Sequence, residues 1–384
     1  MKSRERVLKA LSHEEPDRVP IDFGGPMTTV EVEAYKSLKK FIGIKSKTKV
    51  FSRAHVVPDE SILEMFNTDI RYVYFNLPEE WNPHKYPENT YVGEWGITWK
   101  MPKGSYYYDP IGHPLQKASI KDLEEYNWPG TTDKNNIARW SEQAKYLFEN
   151  TEYCVGADAT GWGIFEQTWA LRGFAQFLMD LRIDCEFAER LLDKVLETQK
   201  KRFDAYLSAV APYIHVIVVS DDLSTQDGPI MAPEMYREII KPRHRELYQF
   251  IKKKTKAKLF HHICGNVIPF IEDLLDVGVD ILNPIQVSAK DMEDTEKLKR
   301  DFGDRIVFWG GGCDTQSVLP FGSPRDVKKE VKRRIYDLAP SGGFVFGPVH
   351  NIQPGVPPEN IVALYEAAME YGVYPIIRSK KRDL

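Results

Sequence analysis

Short apolar runs alternate with longer amphipathic segments over most of the second part of the chain. β-Branched and aromatic residues are concentrated in six runs that we predict to be strands, at residues 153–156, 215–219, 258–262, 279–283, 306–309 and 343–346. Between these runs, apolar residues recur at intervals of three and four, which predicts helices at residues 185–207, 233–253, 267–277, 291–301, 324–337 and 358–371. Strands that alternate with helices are typical of a parallel sheet.

The first part of the chain adds helices and one more strand. Apolar positions at helix spacing predict a helix over residues 4–11, and the run 19–23 is a predicted strand that enters a glycine-rich loop; residues 30–41 and 60–66 are further predicted helices. The chain has at least seven predicted strands with helical connections, and no dinucleotide-binding glycine motif follows the first strand. Both features favour an α/β fold with a closed (β/α)8 TIM barrel.

We predict one barrel domain over residues 1–384. Residues 1–80 would form an N-terminal helical extension and the first strand, and residues 150–375 the regular β/α repeats. Residues 80–115 differ, because Trp and Tyr cluster there with Pro and Gly, so we predict short strands and turns in a cap-like insertion. Two interpretations remain open: a small aromatic core that holds a loop in place, or a lid that adds aromatic surface to a substrate pocket.

Composition narrows the class of protein. The net charge of −4 gives no basic surface for nucleic acid, and no apolar run approaches the ~18 residues of a membrane span. The first residues have no apolar signal-peptide core, and the 4 cysteines follow no disulfide pattern. We therefore expect a cytoplasmic protein with reduced cysteines.

Unusual polar residues follow the predicted strands, where barrel enzymes place their chemistry. They are Asp158, Asp221, Asp222, His262, Cys264, Asn283, Cys313, Asp314 and His350. The agreement between strand ends and polar residues is stronger evidence than any one of these residues alone. It predicts an enzyme site at this end of the barrel.

A pair of potential metal ligands ends the strand at residues 258–262. His262 and Cys264 are at positions i and i+2, a spacing that points two side chains of an extended chain to the same side. A second segment, Pro348 to Pro354, brings His350 from another strand end. One thiol and two imidazoles suit zinc. The alternative is that the cysteine and the histidines are packed or hydrogen-bonded structural residues.

Acidic and aromatic residues complete the predicted site. The adjacent carboxylates Asp221 and Asp222 repel each other, so at least one should have a cationic or metal partner. Glu166 and Trp169 are at positions i and i+3 on a short predicted helix and would line the pocket mouth. We predict Asp222, Glu166 and Asp221 as catalytic residues. The predicted substrate-binding residues are Trp169, Gln226, Asn283 and Phe23.

The chain resembles the uroporphyrinogen decarboxylase superfamily over nearly its whole length. The matching segments keep their order and are residues 4–11, 15–20, 232–242, 310–316 and 357–361. This resemblance implies a single (β/α)8 barrel with an N-terminal helical extension. True decarboxylases of this superfamily bind a polyanionic porphyrinogen through an arginine-rich loop after the first strand. Here residues 23–29 contain no arginine, which argues against that substrate.

The other branch of the superfamily comprises the corrinoid-dependent methyltransferases, which hold zinc through a His-x-Cys pair and a distant third ligand. His262 and Cys264 match that pair. Thiol-methylating members have a cysteine where this chain has His350, and Cys313 is a further candidate ligand. A site with fewer thiolates leaves zinc more electrophilic, which favours the activation of an ether or phenolic oxygen.

The resemblance therefore implies a zinc-dependent methyltransferase. It would move a methyl group between a small methylated molecule, such as a methoxylated aromatic, and the cobalamin of a separate corrinoid protein. Two alternatives stay open: a metal-free decarboxylase or lyase with Asp221 or Asp222 as the acid or base, and a non-catalytic corrinoid or tetrapyrrole binder. The sequence leaves open the direction of transfer, the methyl donor or acceptor, and the oligomeric state, a homodimer included.

Overall fold

A curled parallel sheet forms the centre of the protein in the computed structural model, which describes residues 1–82, 84–130 and 134–376. Its seven strands are β3 (Ile70–Val73), β8 (Cys154–Ala157), β9 (Val216–Ser220), β10 (Lys258–His262), β11 (Ile281–Asn283), β12 (Val307–Trp309) and β13 (Phe344–Val345). They are hydrogen-bonded in the order β13-β12-β11-β10-β9-β8-β3. All neighbouring pairs are parallel.

The extended segment around Ile21 closes the gap between the two edge strands. Ile21 forms a parallel bridge with Phe346 just after β13. On its other side, the carbonyl of Ile21 accepts a hydrogen bond of 2.8 Å from the amide of Asp69, which precedes β3. This segment therefore occupies the remaining position of a TIM-barrel-like fold, as predicted for residues 19–23.

Helices surround the sheet. The helices of the first part are α1 (Ser3–Leu11), α2 (Val32–Ile42), α3 (Glu60–Met65), α4 (Ile120–Glu125), α5 (Lys134–Asn150), α6 (Ile164–Arg172), α7 (Phe174–Ile183) and α8 (Cys185–Val210). Those of the second part are α9 (Pro233–Met235), α10 (Lys241–Lys254), α11 (Ile271–Asp276), α12 (Thr295–Phe302), α13 (Val318–Phe321), α14 (Pro324–Leu338) and α15 (Pro358–Tyr371). The predicted helices are confirmed, although α11 and α12 begin four residues later than predicted, at 271 instead of 267 and at 295 instead of 291.

Two small antiparallel sheets lie outside the barrel. One contains β1 (Lys49–Ser52), β2 (His55–Val57) and β4 (Glu79–Glu80). The other is the insertion, with β5 (Thr90–Val92), β6 (Thr98–Lys100) and β7 (Asp109–Gly112) in consecutive order. Trp95 and Trp99 of the insertion are each only 6% exposed, so the insertion has the aromatic core that one interpretation predicted.

Side chains inside the barrel and those behind its strands form separate apolar clusters. The interior cluster includes Phe260 and Trp309, whose rings meet edge to face at 5.4 Å. A larger cluster fills the space between strands and helices and includes Leu259, the sequence neighbour of Phe260. Alternating strand residues thus face the interior and the helices in turn. Among the described helices, none combines the length and the apolar character needed to cross a membrane.

Candidate metal centre

Strand β10 sends alternate side chains to opposite faces of the sheet at its carboxyl end. His261 is fully buried on the helix side, where Tyr248 Oη and His261 Nδ1 are 2.9 Å apart. His262 points the other way, and so does Cys264 two residues later. Gly265 then turns the chain with a φ of +91°, and a side chain there would lie 2.4 Å from the carbonyl oxygen of Thr225. This glycine lets the loop pass close to its neighbour while Cys264 faces the barrel mouth.

His262, Cys264 and His350 converge at this end of the barrel. One donor atom from each lies within 4.8 Å of the other two, and Cys264 Sγ is 3.4 Å from His262 Nε2. Ligands of a tetrahedral zinc ion lie about 3.3–3.8 Å apart, given Zn–N and Zn–S bonds of about 2.0–2.3 Å. Two imidazoles and one thiol therefore fit zinc in chemistry and nearly in spacing, with a fourth position left for a substrate, as in catalytic zinc sites.

Asn283 fixes the orientation of His262. Its amide nitrogen donates to the carbonyl of Trp309 at 2.8 Å, so its oxygen faces the imidazole and accepts from His262 Nδ1 at 2.6 Å. The proton therefore sits on Nδ1, and the lone pair of Nε2 points toward Cys264. An outer hydrogen bond of this kind selects the tautomer of a metal-binding histidine. Asn283, predicted as a substrate-binding residue, thus acts on His262.

His350 is held in its neutral form. Burial, with His262 and His55 nearby, lowers the pKa of His350 to about 3. Its Nδ1 is buried and has no hydrogen-bond partner among the described residues. Metals bind neutral imidazole, and a buried nitrogen without a protein partner is available to a metal ion.

Cys264 lies beside two carboxyl groups. The side chain of Asp222 accepts a hydrogen bond of 2.6 Å from the Cys264 amide. Burial raises the pKa of the Cys264 thiol, and negative charge on Asp222 and Glu166 raises it further. Without a cation the thiol stays protonated, so metal binding would release its proton.

Glu166 and Asp222 both favour the protonated form. Burial raises the pKa of each, and the charge of Asp222 adds to the effect on Glu166. Glu166 reaches this place because α6 begins at Ile164 and the amides of Phe165 and Glu166 donate to Asp221, the residue after β9. Two neighbouring carboxyl groups in a poorly solvated site share a proton more readily than both ionise, so the pair can donate one. The structure brings both predicted residues to the cluster.

Asp221 is placed differently from its neighbour. It is fully buried and accepts hydrogen bonds of 2.8 Å from the amides of Phe165 and Glu166 and from His244 Nε2. Both of its oxygens are therefore occupied by structural partners that fix the start of α6. These contacts indicate a structural role, and the catalytic role of Asp221 stays a prediction.

Cys313 lies outside the cluster, which corrects its prediction as a metal ligand. Its Sγ is 3.5 Å from an oxygen of Glu330 on α14, and the residue is buried. Gly310 and Gly311 precede it with φ values of +86° and +83°. This left-handed backbone breaks the alternation of the strand and directs Cys313 toward the helix layer.

The remaining predicted substrate-binding residues are spread out. Phe23 packs in the core against Phe66 and Tyr365, with ring centroids 5.4 and 5.2 Å away, so its prediction is corrected. Gln226 is exposed in the loop after β9, where its backbone carbonyl accepts from Lys290, and the structure does not bring its side chain to the cluster. Trp169 is half-buried against Trp162, 5.6 Å between centroids.

Tyr107 is a site residue that the sequence did not single out by itself. It lies between β6 and β7 in the insertion, and its ring meets His350 edge to face at 6.3 Å. The Tyr107 side chain is 48% exposed, so it lies at the open side of the cluster. Tyr107, at the tip of the insertion, therefore fits the interpretation of this segment as a lid.

Two further carboxyl groups, for which the sequence predicted no individual role, are buried near the barrel interior. Asp22 is fully buried, and one of its oxygens accepts from Thr28, Tyr72 and Trp309. Asp158 accepts from the amides of Phe75 and Ala159, and burial raises its pKa to about 7. In the sequence, each of these two acidic residues follows an apolar run, and that position could have indicated them.

The family model and the two curated relatives that match this chain share one name. The family model described as "Uroporphyrinogen decarboxylase (URO-D)" matches residues 121–371. A uroporphyrinogen decarboxylase of Alkalilimnicola ehrlichii is 26% identical over 188 residues, 47% of this chain and 46% of that one. The protein of the same name from Chlorobium limicola is 25% identical over 240 residues, 59% and 62% of the two chains. The chain thus spans about half of the length of these curated relatives.

One solved structure shares the fold of this chain over nearly the full length of both proteins. It is described as "methyltransferase from Methanosarcina mazei", and it matches with a TM-score of 0.64 over 97% of this chain and 99% of its own. The two sequences are 20% identical.

Proposed function

The chain belongs to the uroporphyrinogen decarboxylase family, and from that premise we propose that it is a zinc-dependent methyltransferase. It moves a methyl group between a methoxylated aromatic molecule and the cobalamin of a separate corrinoid protein. The observation that carries this proposal is the convergence of His262, Cys264 and His350, with donor atoms within 4.8 Å, at the carboxyl end of the barrel. A thiol beside two imidazoles is a metal-binding set, and decarboxylation by acid–base chemistry alone does not need one.

The ligand set favours a substrate whose methyl group is bound to oxygen over one whose methyl group is bound to sulfur. One thiolate and two neutral imidazoles leave a zinc ion with a net charge of about +1, more electrophilic than a site with two thiolates. When bound, zinc would supply a Lewis acid for the ether oxygen. The fold shared with a chain described as a methyltransferase is consistent with this chemistry.

The side chains of this protein would prepare and complete the transfer. Asn283 keeps His262 in the tautomer whose Nε2 is free to bind metal. As the methyl group leaves, the electrons of the C–O bond stay on the oxygen, which takes a proton from the Glu166 and Asp222 pair. Tyr107 covers the site from the side of His350 and limits the access of water.

The decarboxylase interpretation remains the second candidate, because buried carboxyl groups with raised pKa values suit acid–base chemistry without a metal. The loop that follows the first strand, residues 23–29, has no arginine to bind a polyanionic porphyrinogen. A decarboxylase of this chain would therefore need a smaller acid.

The experiment is a methyl-transfer assay with the purified full chain, 2-methoxyphenol and chemically reduced cobalamin, followed by visible absorbance. We expect methylcobalamin to form, the rate to fall at least tenfold after dialysis against a chelator, and zinc to restore it. Undiminished transfer after chelation would overturn the role of zinc. Release of carbon dioxide from a small aromatic acid without cobalamin would favour the decarboxylase.

A further inference from the structure

An arginine without a carboxylate partner lies in the turn between β1 and β2. The guanidinium of Arg53 lies 4.8 Å from the ring centroids of both Tyr91 and Trp99 and 5.2 Å from that of Tyr108. We call these three rings and Arg53 the arginine cage. No described carboxylate lies within ion-pair distance of Arg53, and burial lowers its pKa.

Two other cations that contact the same insertion are paired. Arg202 binds Glu94 at 2.7 Å, and Lys36, 3.6 Å above the Trp81 ring, binds Glu33 at 2.8 Å. An enclosed guanidinium without a counter-ion is costly, and aromatic faces offset only part of that cost. The cage is therefore an unbalanced positive charge.

The cage also contains a hydroxyl group whose one polar neighbour is the guanidinium. Tyr91 Oη is buried, Arg53 beside it opposes the rise in the pKa of Tyr91 that burial causes, and no other described residue is its hydrogen-bond partner. An anion in the cage could accept from both Tyr91 and Arg53. The planar fork of a guanidinium matches the two oxygens of a carboxylate.

Three contacts connect the arginine cage to the metal centre. His55, two residues after Arg53, lies 3.5 Å from the side chain of Asn351, the neighbour of His350. Tyr108 follows Tyr107, whose ring meets His350. On the opposite side, the ring of Trp99 is 4.7 Å from that of Trp162, which lies just before α6 and Glu166. The cage thus belongs to the same mouth of the barrel.

We propose that Arg53 and Tyr91 bind the carboxylate of an anionic substrate, so that the methyl donor or product is an aromatic acid. A single cation suits a monoanion, whereas a phosphate dianion would call for a second one. The half-buried ring of Tyr108 offers an aromatic surface to the ring that bears the carboxylate. This inference rests on the proposed function for the identity of the ligand as a methyl donor, but the anion site itself does not.

The test is isothermal titration of the full chain with benzoate, benzamide and phenyl phosphate. Benzoate carries the anion without any methyl group, so its binding is independent of methyl transfer. We expect benzoate to bind at least tenfold more tightly than benzamide or phenyl phosphate. Arg53→Gln should weaken benzoate binding at least tenfold, and Arg53→Lys less, while benzamide binding stays unchanged.

Two variants distinguish benzoate binding at Arg53 from binding at another cation or at a metal ion. Lys36→Gln removes a cation stacked on another aromatic ring of the insertion, and it should bind benzoate as the wild type does. Cys264→Ala removes a proposed metal ligand, and benzoate should still depend on Arg53 in that background, which excludes direct binding of the carboxylate to a metal.

Equal benzoate binding by the wild type and Arg53→Gln would overturn the proposal, and so would stronger binding of phenyl phosphate. A loss of benzamide binding in Arg53→Gln would indicate that Arg53 only holds the insertion in place and would also overturn it. Benzoate binding that depends on Arg53 in a protein without methyl transfer would support the anion site and contradict the proposed function alone.

Discussion

Replacing Asn283 by alanine should weaken zinc binding although Asn283 does not touch the metal. The variant removes the acceptor of His262 Nδ1, a hydrogen bond of 2.6 Å, and frees the imidazole to rotate or change tautomer. Outer partners of metal-binding histidines contribute a factor of about 10 to 100 in affinity, or about 1.4–2.7 kcal/mol. The buried carbonyl of Trp309 also loses its donor, so stability should fall by a further about 1–3 kcal/mol.

The assay is competition for zinc between the purified protein and a chromogenic chelator. Asn360→Ala is the matched control: Asn360 is 1% exposed and donates to two backbone carbonyls, of Leu319 and Gly322, in another part of the barrel. It should lower stability without changing zinc affinity. If Asn283→Ala binds zinc as tightly as the wild type, or if Asn360→Ala weakens zinc equally, Asn283 does not orient a ligand.

Two further predictions concern buried carboxyl groups. Asp221→Ala leaves His244 and two amides of α6 without an acceptor, so the free energy of unfolding in urea should fall by about 3 kcal/mol or more; normal stability with lost activity would instead mean a catalytic role. Burial raises the pKa of Asp158 to about 7, above its value of about 3.9 in the unfolded chain, so the folded state holds an extra proton between these values. Its stabilising contribution is therefore complete below about pH 4 and is lost as the pH rises to about 7, by at most about 4 kcal/mol. Asp158→Asn should remove this slope from urea unfolding measured at several pH values, and an unchanged slope would contradict the assignment.

The barrel and the placement of the first two candidate ligands were predictable because both follow from local periodicity. Strand β10 is buried from Leu259 onward, and the alternation of its side chains places His262 and Cys264 on one face. The same rule failed for Cys313, because Gly310 and Gly311 adopt left-handed backbone and the alternation ends before the cysteine. Local pattern also could not separate Asp221 from Asp222, since their roles depend on α6 and His244.

Contacts between distant segments were beyond the sequence pattern. Tyr107 and His350 meet through the packing of the insertion on the last barrel loop, and nothing near either residue indicates the other. The arginine cage likewise joins a hairpin turn to three rings of the insertion. Aromatic clustering at residues 80–115 predicted that the insertion would pack somewhere, but the partner surface is set by the tertiary fold.

The most direct measurement is the zinc content of the purified protein and two cysteine variants, determined by mass spectrometry of the metal. We predict about one zinc per chain in the wild type and in Cys313→Ala, whose thiol faces Glu330, and little zinc in Cys264→Ala. Absence of zinc from the wild type after supplementation, or full zinc in Cys264→Ala with loss in Cys313→Ala, would contradict the account.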